Sequence, residues 1–177
     1  MTTTKVITGK VRFSYAHVHE PKAIQEGQKE KYSVSILIPK TDKATIGRIN
    51  QAVETAKQEC KGKWNGKIPA VLKLPLRDGD AERPDDEAYE GCMFLNANAV
   101  NKPGIVGPDG EELMSKEEFY SGCFGRASVN FYGYSAGGNK GVACGLNNLQ
   151  KLEDGDRLSG DRSTAAEDFG SDDDLLG

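Results

Sequence analysis

Apolar and polar positions alternate over four stretches of this chain, and each alternation predicts a β-strand. In residues 5–15, Ile7, Val11, Phe13 and Tyr15 share one parity, with Lys10, Arg12 and Ser14 on the other. In residues 31–38, Tyr32, Val34, Ile36 and Ile38 line one face, and Pro39 ends the strand because it lacks a ladder donor. Residues 92–100 set Leu95, Ala97 and Ala99 against Phe94, Asn96 and Asn98. Residues 124–134 set Ala127, Val129 and Phe131 against Arg126, Ser128, Asn130, Tyr132 and Tyr134. The AGGN run at 136–139 is a tight turn, so 124–134 and 140–149 form a hairpin.

The period changes once. Ile46, Ile49, Val53, Ala56 and Cys60 recur every three or four residues, which predicts a helix with Thr41 or Asp42 as its cap and Gly62 closing it. Ser115 with Glu118 reads as a capping box for a short helix through Tyr120. Residues 20–30 read as a polar loop. Residues 66–91 read as a long connection with one short strand near 71–74. After Leu152 no periodicity remains. Strands dominate and do not alternate with helices, which excludes a doubly wound parallel sheet and points to a mainly β chain with inserted helices (α+β), a small Greek-key barrel or a sandwich.

Charge divides the chain where the periodicity stops. Residues 153–177 carry nine carboxylates and two arginines, net −7, whereas residues 1–152 carry 18 acids and 21 bases, net +3. The expected organisation is a folded domain over 1–152 and a disordered acidic tail over 153–177, because the tail has too little apolar surface to offset its ordering entropy. A mildly basic body binds polyanions, and a tethered acidic segment competes for the same surface. The start of the chain has no basic-then-apolar leader and no stretch long enough to span a bilayer, so a soluble, cytoplasmic protein without membrane contact is expected. Cys60, Cys92, Cys123 and Cys144 lie 32, 31 and 21 positions apart. That spacing lacks the close ligand pairs of a zinc site, so no metal and no cofactor are expected.

Two strand faces carry candidate chemistry. Arg126, Tyr132 and Tyr134 share a parity with Ser128 and Asn130, a combination suited to single-stranded nucleic acid, whose bases stack on rings while cations meet phosphate. The alternative is that these tyrosines cover a second core or a dimer interface. Phe94, Asn96 and Asn98, followed by Lys102, form a similar face, or else an ordinary polar strand edge. Trp64, among Lys61, Lys63 and Lys67, suits either stacking of a base or packing of the helix end against the barrel, and packing is the favoured reading. The acids of 78–87 are candidate Mg²⁺ ligands for a nuclease, but they crowd into one loop, and the chain has no P-loop, nucleophile elbow or H-E-x-x-H motif.

Six segments taken together, VRFSYAHVHEPK, KYSVSILIPK, LRDGD, YEGCMFLNANAVNKPGIV, EEFYSGCFGRASVNFYGY and NKGVACGLNNLQKLEDGDRLSG, resemble a bacteriophage and prophage family of single-stranded DNA-binding proteins with an OB-fold. The likeness runs over most of residues 5–160. It implies a five-stranded Greek-key barrel with one longer and one short helix, and a non-enzymatic protein that coats single-stranded DNA during phage replication and recombination in the host cytoplasm. Strand parity assigns phosphate contacts to Arg12, Lys31, Lys102, Arg126 and Lys140, and base contacts to Tyr15, Phe94, Asn96, Asn98, Tyr132 and Tyr134. Further expected partners are duplex DNA, a second copy in a homodimer, and replication or recombination proteins recruited by the tail residues Asp168, Phe169, Asp172, Asp173, Asp174, Leu175 and Leu176. In the familiar bacterial ending the apolar tip contains proline and phenylalanine, whereas here Phe169 lies upstream and the tip is Leu-Leu-Gly. Two other readings are an adaptor whose DNA affinity is secondary and the nuclease of the 78–87 loop.

Overall fold

A computed structural model describes residues 3–23, 27, 29–113 and 115–158. Its strands are β1 (Lys5–Ile7), β2 (Val11–Lys22), β3 (Lys31–Pro39), β4 (Arg77–Asp78), β5 (Cys92–Ala99), β6 (Gly104–Val106), β7 (Phe124–Ala136) and β8 (Asn139–Glu153). Five of them close a ring in the order β7–β2–β3–β5–β8–β7. Every junction is antiparallel except β5–β8, which pairs Ala97 with Cys144 and Asn98 with Gly145 in parallel. A five-stranded Greek-key ring of this kind is the OB architecture. β1 adds to the outside of β7, β4 to β5 and β6 to β8.

Alternation places one face of each strand inside the ring. Phe13, Ile36, Leu95, Val129, Phe131 and Cys144 are all buried in a single cluster. The β7–β8 hairpin is the longest pairing, and a two-residue Gly137–Gly138 turn closes it. Both glycines have positive φ, which the right-handed twist of a two-residue hairpin demands and side chains resist.

Helix α1 (Lys43–Glu59) packs Ile49, Ala52, Val53 and Ala56 onto the barrel core. Asp42 is its cap. One carboxylate oxygen accepts from the Thr45 amide at 3.1 Å and the other from the Thr45 hydroxyl at 2.7 Å. The same hydroxyl oxygen accepts from the Gly9 amide at 3.0 Å, which ties the helix to the β1–β2 connection. The Thr45 hydroxyl, followed by the Thr45 amide, holds the Asp42 carboxyl below the usual carboxylate range against an opposing effect of burial. A lowered carboxylate pKa contributes stability above the unfolded-state value and loses it as pH falls through the folded one. Asp42→Ala should therefore cost about 1 kcal/mol at neutral pH. In denaturant melts from pH 7 to pH 2, that difference should shrink only below about pH 4.

Several boundaries differ from the sequence reading, each for a physical reason. The 5–15 strand is two strands broken at Gly9, so Val6 and Thr8 are buried and Ile7 is exposed. β2 runs on to Lys22, into the stretch predicted as loop, and Tyr15 leaves the inner face. It takes φ +47° at a register shift between Ser14 and His17, and the core resumes at Val18. Gly62 falls inside a 3-10 turn (Lys61–Trp64) that continues from Cys60. The short strand of the 66–91 connection is β4, at 77–78; residue 73 contributes only one bridge, to Gly141. The capped turn after Ser115 is a single 3-10 turn (Lys116–Glu118), and β6, three residues long, had no visible alternation. Trp64 is buried. Its indole donates to the Tyr134 carbonyl at 3.0 Å, and its ring lies where a side chain on Gly133 would otherwise sit.

Candidate nucleic-acid interface

The outward faces of the ring strands form rows around the barrel. One row runs through His17 (β2), Ser33 (β3), Asn98 (β5), Gly145 (β8) and Asn130 (β7), each paired with the next. Beside it, Asn96 on β5 is exposed, and Tyr132 on β7 faces Ala143 on β8. Gly145 leaves the centre of the row flat. The Tyr132 ring edge lies 3.5 Å, and the Asn130 side-chain oxygen 3.4 Å, from where a Cβ on Gly145 would be. The two faces that the sequence presents separately, 94–98 and 124–134, are thus one surface joined through β8. Asn147 and Asn148 extend it: the Asn147 side-chain amide donates to the Ser128 hydroxyl at 3.4 Å, and the Asn148 side-chain oxygen accepts from the Gly104 backbone amide at 3.2 Å.

This floor is polar, with amides that donate and accept, and it has one exposed aromatic ring. Tyr132 is 40 % exposed. Burial of the remainder pushes its hydroxyl pKa up, so the ring is neutral at physiological pH. Tyr134, next on the same face, is half-buried with its hydroxyl folded toward Gly141. Exposed cations lie on the strands and loops of this sheet: Lys31 at the start of β3, Lys102 after β5 and Lys140 near the β7–β8 turn. Lys22, which the sequence reading left in a loop, stands directly opposite Lys31 across β2 and β3. Like charges directly opposite destabilise a ladder, and a bound anion removes that cost.

The remaining candidates are placed differently. Phe94 is 2 % exposed, so the expectation that it stacks a base is corrected. It shares the outward parity of Asn96 and Asn98, but Leu37 and Tyr89 enclose it in a second cluster. Arg12 lies in the row of Leu37, and its guanidinium donates to the Gly122 and Asp156 carbonyls at 3.1 and 2.8 Å. It also sits over the Phe124 ring, so it holds loops together. Arg126 is exposed on the right face, but its Nε donates to the Thr8 carbonyl at 2.9 Å. Tyr15 is half-buried, apart from the open row, and its hydroxyl accepts from Arg83 at 2.9 Å. The tail candidates 168–176 lie outside the described residues. Phe94 differs from the expectation because parity says which face a side chain takes, not what later covers that face.

The acids of the 78–87 loop have structural work. Asp78 and Asp80 pair with Lys40 at 2.9 and 2.6 Å, and Glu82 pairs with Arg77 at 2.6 Å. Asp78 caps helix α2 (Gly79–Glu82), and Asp86 caps the following 3-10 turn. The hydrogen bond from Lys40 is the largest influence lowering the pKa of both Asp78 and Asp80.

A closed OB ring with an exposed asparagine-rich face defines a protein of the oligonucleotide-binding barrel class. The chain belongs to the family of the Enterobacter phage Enc34 ssDNA-binding protein, whose model matches residues 4–176. That match runs past residue 160, where the resemblance in the sequence ended, and through the acidic terminus. Protein p50 of Acyrthosiphon pisum secondary endosymbiont phage 1 is 30% identical over 175 residues, covering 93% of this chain and 92% of that one. The single-stranded DNA-binding protein of bacteriophage Enc34, solved in complex with ssDNA, superposes with a TM-score of 0.79 at 27% identity, over 89% of this chain and 90% of that one. The gp2.5 single-stranded DNA-binding protein of bacteriophage T7 shares the fold, with a TM-score of 0.61 at 12% identity over 92% and 91% of the two chains.

Proposed function

We propose that this protein binds single-stranded DNA without strong sequence preference and coats displaced strands during phage replication and recombination, as a binding protein rather than an enzyme. The observation that carries this reading is the continuous outward face over β3, β5, β8 and β7, polar and open, with Tyr132 exposed on its β7 side and lysines on its strands and loops. OB barrels use the face of their second and third strands, here β3 and β5, for oligonucleotides. Amide side chains contact bases and backbone without enforcing one sequence, and a ring stacks any base.

Titration of the full chain with oligo-dT from low to high salt tests this. Affinity should fall linearly on a log–log plot, with a slope of about −0.7 per phosphate neutralised. Saturable binding should survive a change of base composition. An absence of binding, or binding indifferent to salt, overturns the reading.

The acidic terminus enters the same reading as a competitor and a recruiter of replication proteins. It carries Asp168 and Asp172–Asp174 beside Phe169, Leu175 and Leu176. Removing residues 168–177 should tighten DNA binding several-fold at low salt and leave it unchanged at high salt, because screening removes the tail's competition first. Pull-down of replication partners should fail with the truncated chain. If neither property changes, the tail serves solubility alone.

A further inference from the structure

The segment 77–92 lies on the sheet face where the outward rows continue, and it covers Leu37, Phe94 and Ser35 there. Tyr89 is 1 % exposed and stands edge-on to Phe94, with ring centroids 5.0 Å apart and planes at 88°. Its hydroxyl donates to the Ser35 hydroxyl at 2.8 Å, and the Arg83 guanidinium sits 4.8 Å from its ring centroid. An aromatic ring thus covers the outward aromatic of β5 and bonds the outward hydroxyl of β3. Asp85, Glu87 and Glu90 are exposed on this segment, and Glu82, also exposed, pairs with Arg77.

The segment is fixed. β4 pairs with β5, Lys40 bridges Asp78 and Asp80, and the Asp80 carboxylate accepts from the Gly91 amide at 3.0 Å. A Cβ on Gly79 would stand 2.4 Å from the Tyr89 carbonyl, so the backbone there has no slack. A lid poised to open would not carry this many restraints. We propose that residues 77–92 are a permanent wall that ends the DNA track on the β3–β5 face and so sets the length of strand the protein covers. The proposal rests on the single-stranded DNA reading of the same face. Asn96 and Asn98 lie on the open side of the wall; Leu37 and Phe94 lie beneath it. A strand crossing from Tyr132 over Gly145 and Asn98 meets the exposed carboxylates of Asp85, Glu87 and Glu90 if it turns toward Tyr89, and the excess of like charge repels phosphate.

The experiment is a length series of oligo-dT titrated against the full chain at one low salt concentration. It compares wild type, Asp85→Lys/Glu87→Lys on the wall, and Glu54→Lys/Glu59→Lys on α1, which changes net charge equally. For wild type, affinity should rise with length and level off. The wall variant should level off one or two nucleotides later, bind oligomers beyond the wild-type plateau about tenfold tighter, and gain about 0.7 in salt slope per added phosphate. The helix variant should keep the wild-type plateau. A wall variant whose plateau does not move, or two variants that tighten equally at every length, would overturn the wall. A wild type that binds no oligo-dT would instead remove the single-stranded DNA reading, and the wall with it.

Discussion

Tyr132→Ala is expected to weaken binding of oligo-dT by roughly tenfold to a hundredfold, while Tyr132→Phe binds close to wild type. Stacking one base on an aromatic ring is worth about 1–3 kcal/mol in alanine substitutions, and each 1.4 kcal/mol is tenfold in affinity. Tyr132 is the tyrosine on this face with its ring in the open, facing Ala143 and leaning over Gly145, so small neighbours leave its face accessible. The hydroxyl has no hydrogen-bond partner among the described residues, and its raised pKa keeps it neutral, so the ring rather than the oxygen should carry the effect. Tyr134→Ala should cost less, because that side chain is half-buried with its hydroxyl close to Gly141. Fluorescence titration of the three variants at one salt concentration checks the order. Equal binding by Tyr132→Ala and wild type would move the stacking platform off this strand.

The contrast between Tyr132 and Phe94 shows what the sequence could and could not reveal. Both are outward aromatics on alternating strands, and alternation identified the face of each correctly. Period-2 patterning reports the orientation of Cβ, which the pleat sets locally. Exposure is set by whatever packs on that face afterward. For Phe94 this is a segment of low periodicity, 77–92, whose Gly, Pro and acids looked like an ordinary connection. The core was legible for the same local reason. Leu95, Ala97, Val129 and Phe131 lie inside, and the α1 stripe with its Asp42 cap lies where the spacing put it. Ring closure was not legible, because the parallel β5–β8 pairing of Asn98 with Gly145 joins residues 47 positions apart that no local signal connects. That pairing is also what fuses two modest strand faces into one surface. Lys22 escaped notice because β2 continues through a shift in register, where the alternation lapses. The acids of 78–87 were visible as a cluster, but their partners, Lys40 and Arg77, were not.

Gly145→Val tests the fused surface where stability and binding should separate. Glycine in a strand interior costs about 0.5–1 kcal/mol relative to alanine, because its backbone loses more freedom on folding. Nothing in the fold demands a glycine at this position by close contact. The nearest atoms to an added Cβ are the Asn130 and Tyr132 side chains at 3.4 and 3.5 Å, ordinary van der Waals distances, and φ is not positive. Gly125, by contrast, would place a Cβ 1.8 Å from the Gln150 carbonyl and is required by packing. A β-branched side chain suits a strand and restricts the unfolded chain, so Gly145→Val should melt at the wild-type temperature or a few degrees above it. The same side chain would stand between Tyr132 and Asn98, filling the flat strip a base must cross, and binding of oligo-dT should fall at least tenfold. Gly145→Ala, which adds one methyl, should gain the same stability with a smaller loss. Stability gained equally by both variants, with binding weakened by the methyl of alanine and weakened further by the isopropyl group of valine, is the expected signature of a glycine kept for its surface. Thermal melts and titrations on the three proteins decide it. Unimpaired binding by the valine variant would show that the strand does not cross β8.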